Sequence, residues 1–158
     1  MRPGAADFHA ARVRLAGHIQ DTPCTRSAAL SERIGVPVWL KHEHRQITGA
    51  FKLRGATNAV LQLPDGVAGV TTASTGNHGR ALAHAARARG LRAVICMSRL
   101  VPENKRAAVT ALGAEARIIG ASQDEALIEA ERLVTDEGFA LIPPFDHPHV
   151  IAGQATLG

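Results

Sequence analysis

The stretch GVTTASTGNHG, residues 69–79, predicts a short strand that passes through a polar turn directly into a helix. The strand covers residues 69–73 and the helix residues 77–89. The same alternation continues along the chain, with strands at 92–97, 116–119 and 139–142 and helices at 102–112 and 122–137. Strands that alternate with helices form right-handed βαβ units, so the sequence predicts an α/β fold with a parallel sheet.

Signals at helix ends support these boundaries. Pro102 suits the first position of a helix, and Ser122 opens a capping box that Glu125 completes. Before the alternating region, the apolar spacing predicts helices at 5–18, 27–34 and about 50–63 and a strand at 38–40. Only 3% of the residues are aromatic, which suits close packing of helices on a sheet better than an all-β core.

The net charge of +4 raises the question of a nucleic-acid partner. The 18 basic residues are 15 arginines and three lysines, and they are mixed with 14 acidic residues rather than gathered in a run. Few aromatic side chains are present to stack on bases. We therefore expect no nucleic-acid partner.

Cysteine and histidine usage gives the expected compartment and metal content. Cys24 and Cys96 form no CxxC pair, and no export signal or apolar run of membrane-spanning length is present, so we expect a cytoplasmic protein without a membrane partner. The eight histidines show no metal-ligand spacing. We interpret them as scattered surface residues and expect no metal site.

The turn at residues 73–79 is a candidate anion site. In an open parallel sheet, ligands bind at the carboxyl ends of strands, and here free amides, two hydroxyls and a helix N-terminus meet. Neither the GxGxxG fingerprint nor the GK[ST] ending of a P-loop is present, which disfavours dinucleotides and nucleoside triphosphates. The alternative is an ordinary strand-to-helix loop with Ser, Thr and Asn caps.

Lys52 is the best candidate for covalent chemistry. It follows a flexible Thr48-Gly-Ala50 run and falls in the first turn of the helix predicted at 50–63. The positive end of a helix dipole disfavours an ammonium group and lowers its pKa toward the neutral amine that a Schiff base requires. The alternative is a solvated lysine on a helix face.

Taken together, the motifs resemble those of the fold-type-II pyridoxal-phosphate enzymes, with the serine/threonine dehydratases as the nearest subgroup and serine racemase as a relative. The motifs are Lys41-His-Glu43, QITGAFKLRGA at 46–56, STGNHG at 74–79, PENK at 102–105, Leu112-Gly-Ala114, Pro144-Phe-Asp146 and VIAGQ at 150–154. The segments STGNHGR at 74–80, MSRLV at 97–101 and PPFDH at 143–147 most resemble the dehydratase associated with hydroxyectoine utilisation.

The resemblance implies a tryptophan-synthase-beta-like fold that binds pyridoxal 5′-phosphate. Lys52 would form the Schiff base with the cofactor and then act as general base at Cα. Phe51 would pack beside the cofactor ring, and Asn77 would hydrogen-bond its phenolic oxygen. The substrate carboxylate would be bound by Ser74, Thr75, Gly76 and His78 through amides and hydroxyls.

The implied reaction is β-elimination of water from a 3-hydroxy amino acid such as threonine, serine or a hydroxyectoine-derived amino acid. The products would be a 2-oxo acid and ammonia. Two positions depart from relatives: Ala50 stands where many have serine, and Thr75 stands where the racemase has the serine that protonates the opposite face of Cα. A β-branched threonine has fewer rotamers, which lowers racemisation below dehydration.

The resemblance also implies a domain division. Residues 1–60 would form one edge of a large domain, residues 65–148 a complete small domain, and residues 149–158 the return to the large domain. Family members are roughly twice as long, and their glycine-rich phosphate loop lies after the point that Gly158 matches, so we expect an N-terminal fragment. We expect the full-length protein to be a homo-oligomer.

Two other functions remain open. Within the same fold, the chain could belong to an amino-acid racemase or a β-replacement enzyme. Outside enzymes, it could be an α/β module that binds a small anion at residues 74–79.

Overall fold

The computed structural model describes residues 2–158, which form seven α-helices and six strands. The strands are β1 (Cys24–Arg26), β2 (Trp39–Lys41), β3 (Gly69–Ala73), β4 (Ala93–Met97), β5 (Glu115–Ile118) and β6 (Phe139–Leu141). The helices are α1 (Ala5–Leu15), α2 (Ala28–Ile34), α3 (Lys52–Val60), α4 (Asn77–Ala88), α5 (Glu103–Thr110), α6 (Gln123–Glu137) and α7 (Pro148–Gln154). Short 3-10 helices cover Glu43–Arg45 and Ala155–Leu157.

The predicted parallel sheet is present, with its strands in the order β5-β4-β3-β6. Val70 pairs with Ala93 of β4 on one side and with Ala140 of β6 on the other. Every residue of β3 and β4 is buried, as expected of central strands whose two faces are both covered by helices. The α/β fold class predicted from the sequence is therefore confirmed.

The two faces of the sheet carry separate apolar clusters. On β4, Ile95 and Met97 pack with Leu82 of α4 and Val109 of α5. Val94 and Cys96 point to the opposite face and pack with Leu133 of α6. This alternation follows from the two-residue period of a strand, and it places α4 and α5 on one side of the sheet and α6 on the other.

The helices α3 and α7 pack against each other and extend the first of these clusters. Val60 of α3 and Val150 of α7 are fully buried in it. Gly153 permits this close approach, because a Cβ there would lie 2.6 Å from the backbone oxygen of Arg54. Helix α1 packs on the same pair, so the first and last segments of the described chain meet around α3.

Three features differ from the predicted elements. The strand β1 was not predicted, because Cys24-Thr-Arg26 is exposed throughout; it pairs antiparallel with β2. Helix α7 was also not predicted, and it begins at Pro148, a residue suited to the first helical turn. Helix α1 ends at Leu15 rather than near residue 18.

The other boundaries agree with the predictions within a few residues, and the Ser122 capping box is present. The division into segments 1–60, 65–148 and 149–158 stays a prediction. Within residues 2–158, no helix combines the length and apolar character needed to cross a membrane.

Candidate active site

The strand order creates a switch point between β3 and β6. The chain leaves β3 toward β4 and β5 on one side and returns on the other side of β3 as β6. A crevice opens at the carboxyl ends of parallel strands at such a point, and ligands bind there. Two loops flank it here, the 74–79 loop after β3 and the 142–146 loop after β6. The Ile142 amide donates to the Thr71 carbonyl at 2.9 Å, which fixes the second loop to β3.

Lys52 lies in the first turn of α3, as the sequence predicts. Gly49 has φ of 73°, a left-handed conformation that suits glycine, and it turns the chain toward the helix. The Lys52 ammonium donates a hydrogen bond to the Pro144 carbonyl and lies 5.4 Å from the centre of the Phe51 ring. Burial lowers the pKa of Lys52 below its ordinary value of 10.5, which raises the neutral, nucleophilic fraction of the amine.

The 74–79 loop presents free amides at the start of α4. The Ser74 hydroxyl accepts from the amides of Gly79 at 2.9 Å and Gly76 at 3.3 Å, so it caps the helix. Within residues 2–158, the amides of Thr75, Asn77 and His78 donate to no acceptor. Three unpaired donors at the positive end of a helix form a site suited to a carboxylate.

The His78 side chain joins the 74–79 loop to the 142–146 loop. Its imidazole is buried, and Nε2 donates to the Ile142 carbonyl at 2.8 Å. Burial, together with the nearby positive charge of Lys52, lowers the pKa of His78 to about 4, although the hydrogen bond to the Ile142 carbonyl opposes this shift. The interpretation of the histidines as surface residues is therefore wrong for His78, because α4 packs against the sheet and carries this ring inside.

The structure thus brings Lys52 and His78 to one stretch of backbone, Ile142–Pro144, where each donates to a carbonyl. It does not bring all predicted site residues into contact. Asn77 is exposed, and its side-chain oxygen accepts from Arg80 at 2.6 Å. Phe51 is 39% exposed. The roles predicted for Asn77 and Phe51 toward the cofactor stay predictions.

A hollow of about 370 Å³ lies beside Lys52, lined by residues of the 142–146 loop and of α7. Its lining includes Pro144, Phe145, Asp146 and Gln154. Above the 74–79 loop, a Cβ built on Gly76 would meet no atom within 4 Å, so that loop also faces open space. The half-buried amine of lowered pKa beside this hollow suits the aldehyde of pyridoxal phosphate, whereas the open space over the 74–79 loop is a separate hollow that Gly76 and Asn77 line with Arg80 and Lys105.

A buried ion pair supports the Lys52 helix and was not singled out from the sequence. Arg54 donates to both carboxylate oxygens of Glu43, through Nε at 2.9 Å and Nη2 at 2.8 Å. The Thr22 hydroxyl also donates to Glu43, and Arg54 Nη1 reaches Thr156. One guanidinium thus ties α3 to the segment before it and to the end of the described chain. Both residues belong to motifs noted in the sequence, Lys41-His-Glu43 and KLRGA. The spacing of these motifs does not reveal that Glu43 and Arg54 form an ion pair.

A family model described as "pyridoxal-phosphate dependent enzyme" matches residues 15–158. Among curated proteins, a protein assigned as a threonine dehydratase from Sinorhizobium fredii is 61% identical over 150 residues, covering 94% of this chain and 45% of the relative. The L-threo-3-hydroxyaspartate ammonia-lyase of Saccharomyces cerevisiae is 40% identical over 157 residues, covering 98% of this chain and 48% of that protein. The chain therefore spans about half the length of these relatives.

Among solved structures, maize serine racemase superposes with a TM-score of 0.94 at 32% identity, covering 99% of this chain and 48% of that one. The match extends over both the 74–79 loop and the Lys52 helix, because nearly the whole chain is covered. These findings confirm the predicted fold and the family resemblance of the motifs.

Proposed function

We propose that this chain, which belongs to the pyridoxal-phosphate-dependent enzyme family, carries the catalytic lysine and the substrate-carboxylate site of a dehydratase. The reaction is loss of water from a 3-hydroxy amino acid, followed by hydrolysis to a 2-oxo acid and ammonia. One observation carries the proposal: a half-buried lysine amine of lowered pKa and a loop of free amides are both tied to the switch point of the sheet.

Each residue of the site has a definite task in this reaction. When bound, pyridoxal phosphate supplies an aldehyde that captures an amine and an electron sink that acidifies the Cα proton. Lys52 holds the cofactor, and its amine, once displaced by that of the substrate, removes the Cα proton. The Pro144 carbonyl then accepts a hydrogen bond from the protonated amine. The free amides of Thr75 and His78, with that of Asn77, hold the substrate carboxylate and so fix the position of Cα. We also propose the predicted contacts of Ser74, through its O–H, and of Gly76 with this carboxylate.

The neutral state of the His78 ring also suits the proposed reaction at Lys52. With a pKa of about 4, the ring carries no charge near neutral pH and adds no repulsion beside the Lys52 ammonium. The Ser74 hydroxyl keeps the 74–79 loop in shape by capping α4, which leaves the other amides free for substrate. We also propose the predicted roles of Phe51 against the cofactor ring and of Asn77 at its phenolic oxygen.

The names of the relatives support a 3-hydroxy amino acid as substrate. Threonine, serine, 3-hydroxyaspartate and a hydroxyectoine-derived amino acid all carry the hydroxyl on Cβ that the elimination requires. Racemisation is the second candidate, supported by the superposition on maize serine racemase and by the exposed Thr75 at the start of α4. Chiral analysis of the amino acid recovered from L-serine separates the two reactions.

The test is to locate the cofactor attachment in the protein expressed from its complete gene. Borohydride makes the attachment irreversible, and mass spectrometry of the peptides then identifies the modified lysine. This chain has only three lysines, so Lys41→Ala and Lys105→Ala are matched controls for Lys52→Ala. We expect modification at Lys52 and loss of 2-oxo acid production in Lys52→Ala alone. Undiminished production in Lys52→Ala refutes the proposal.

The assembly and location of the protein are part of the same proposal. We infer a cytoplasmic homo-oligomer in which residues 65–148 form the small domain and residues 1–60 and 149–158 contribute to the large one. Light scattering on the protein from the complete gene measures the subunit number, and a monomer contradicts this part.

A further inference from the structure

We propose that Arg80 is a positioning residue that holds the side-chain amide of Asn77 with its NH₂ group free to donate to the phenolic oxygen of pyridoxal phosphate. The inference deepens the function proposed above and rests on it, because it starts from the cofactor contact proposed for Asn77. In this role Arg80 contacts neither cofactor nor substrate. Its effect on the site passes through Asn77 alone.

The hydrogen bond between the two side chains decides which way the amide faces. Arg80 Nη2 donates to Asn77 Oδ1 at 2.6 Å, across three residues of α4. A guanidinium carries donors and no acceptor, so only the amide oxygen can face it. Asn77 is exposed, so no packing around it fixes the amide instead. Within residues 2–158 its NH₂ group donates to no acceptor, which leaves this donor for a ligand.

The surroundings of Arg80 favour this role over a structural one. Arg80 is partly buried and lines the hollow of about 350 Å³ that Lys105 also lines, and no acidic residue lines it. Within residues 2–158, Arg80 forms no ion pair. It also lies in the first turn of α4, where the positive end of the helix disfavours a cation. Neither an ion pair nor the helix dipole therefore accounts for an arginine here, whereas the bond to Asn77 does.

The charge of Arg80 also strengthens Asn77 as a donor. Hydrogen bonds from an ionised group are stronger than neutral ones, and consecutive hydrogen bonds polarise one another. By donating to the phenolic oxygen, Asn77 favours the negative charge on that oxygen and keeps the shared proton on the Lys52 nitrogen. A protonated Lys52 nitrogen is what a substrate amine displaces. Bound cofactor in this state absorbs visible rather than near-ultraviolet light, which gives the role a spectroscopic signature.

The experiment is a double-mutant cycle on the protein expressed from its complete gene. Arg80→Met removes the donor, Arg80→Lys keeps a charged one, and Arg80→Met is repeated in an Asn77→Ala background. Equilibrium dialysis measures Kd for pyridoxal phosphate, and the absorbance spectrum gives the ratio of visible to near-ultraviolet bands. Arg87→Met is the matched control on the same helix, because Arg87 lies in its last turn. Lys105→Met removes the other cation of the hollow and leaves the hydrogen bond intact.

Loss of one hydrogen bond predicts that Arg80→Met weakens cofactor binding about three- to tenfold and lowers the band ratio by a similar factor. Arg80→Lys should recover part of both. In the Asn77→Ala background, Arg80→Met should change either quantity by less than about 1.5-fold, because its partner is already absent. Both control variants should change them by less than about twofold. Equal effects of Arg80→Met in the two backgrounds, or an effect of Lys105→Met as large, overturn the inference.

Borohydride labelling and 2-oxo acid production in the same preparations test the dehydratase function separately. Label at Lys52 with normal production, combined with equal effects of Arg80→Met in the two backgrounds, overturns the role of Arg80 and leaves the function intact. Absence of the label refutes the function, and the inference with it. The two failures are therefore distinguishable.

Discussion

The Arg54–Glu43 pair gives a sharp test of how the Lys52 helix is held. The two side chains are only 6% and 11% exposed, and Arg54 donates to both carboxylate oxygens. Glu43→Gln preserves the shape but leaves the guanidinium buried without a counter-charge. Breaking one partner of a buried pair costs about 3–5 kcal/mol of stability. We therefore expect this variant to lose roughly that free energy of unfolding.

Urea unfolding followed by circular dichroism measures the loss. Asp65→Asn is the matched control, because it removes the charge of a fully exposed carboxylate that lies 3.5 Å from Arg89; it should cost less than about 1 kcal/mol. The double variant Glu43→Met/Arg54→Met removes both charges and should recover much of the loss, since buried pairs are often replaceable by apolar residues. A cost below about 1 kcal/mol for Glu43→Gln would refute the reasoning.

The Arg54–Glu43 pair also predicts that the free energy of unfolding falls in acid. Burial by itself would raise the pKa of Glu43, but hydrogen bonds from Arg54 and Thr22, with the charges of Arg54 and Lys41, hold it below the ordinary 4.5. A carboxylate with a lowered pKa stabilises the folded state above the unfolded-state pKa, and the contribution is lost as pH falls through the folded-state pKa. The loss of stability below pH 4.5 should therefore be shallower in Glu43→Gln.

Three further predictions test the neighbouring elements. His78, with a folded pKa of about 4 against an ordinary 6.5, should lose about 3 kcal/mol of stabilisation as pH falls from 6.5 to 4, and His78→Gln should flatten that slope in urea unfolding. Gly153→Ala should cost roughly 1–3 kcal/mol in thermal unfolding because its Cβ would meet the α3 backbone, whereas Gly76→Ala, with open space, should cost less. Ser74→Ala should cost about 1 kcal/mol and speed hydrogen exchange at the Gly79 amide; unchanged exchange would contradict the cap.

The sequence predicts most of the parallel sheet because each strand there is apolar and bounded by clear turn or cap signals. Val94, Ile95, Cys96 and Met97 are buried on alternate faces, and such a run is recognisable without tertiary information. The strand β1 is different. It exists through its pairing with β2, and its three exposed residues carry no pattern that local analysis detects.

The site was predictable where its chemistry depends on local structure. The place of Lys52 in the first helical turn and the start of α4 after a polar turn both follow from neighbouring residues. The acceptors at Ile142 and Pro144 do not, because they depend on β6 lying beside β3 rather than beside β5. Alternation of strands and helices gives the type of sheet but not this order. The contact that His78 makes inside the protein could not be predicted for the same reason, because its acceptor is the Ile142 carbonyl at the end of β6.

The acceptors that bind His78 and Lys52 are the main-chain oxygens of Ile142 and Pro144, and this has an evolutionary consequence. Exchanging side chains there leaves both oxygens in place, whereas inserting or deleting one residue shifts both away from their donors. This segment should therefore tolerate changes of residue type but not changes of length.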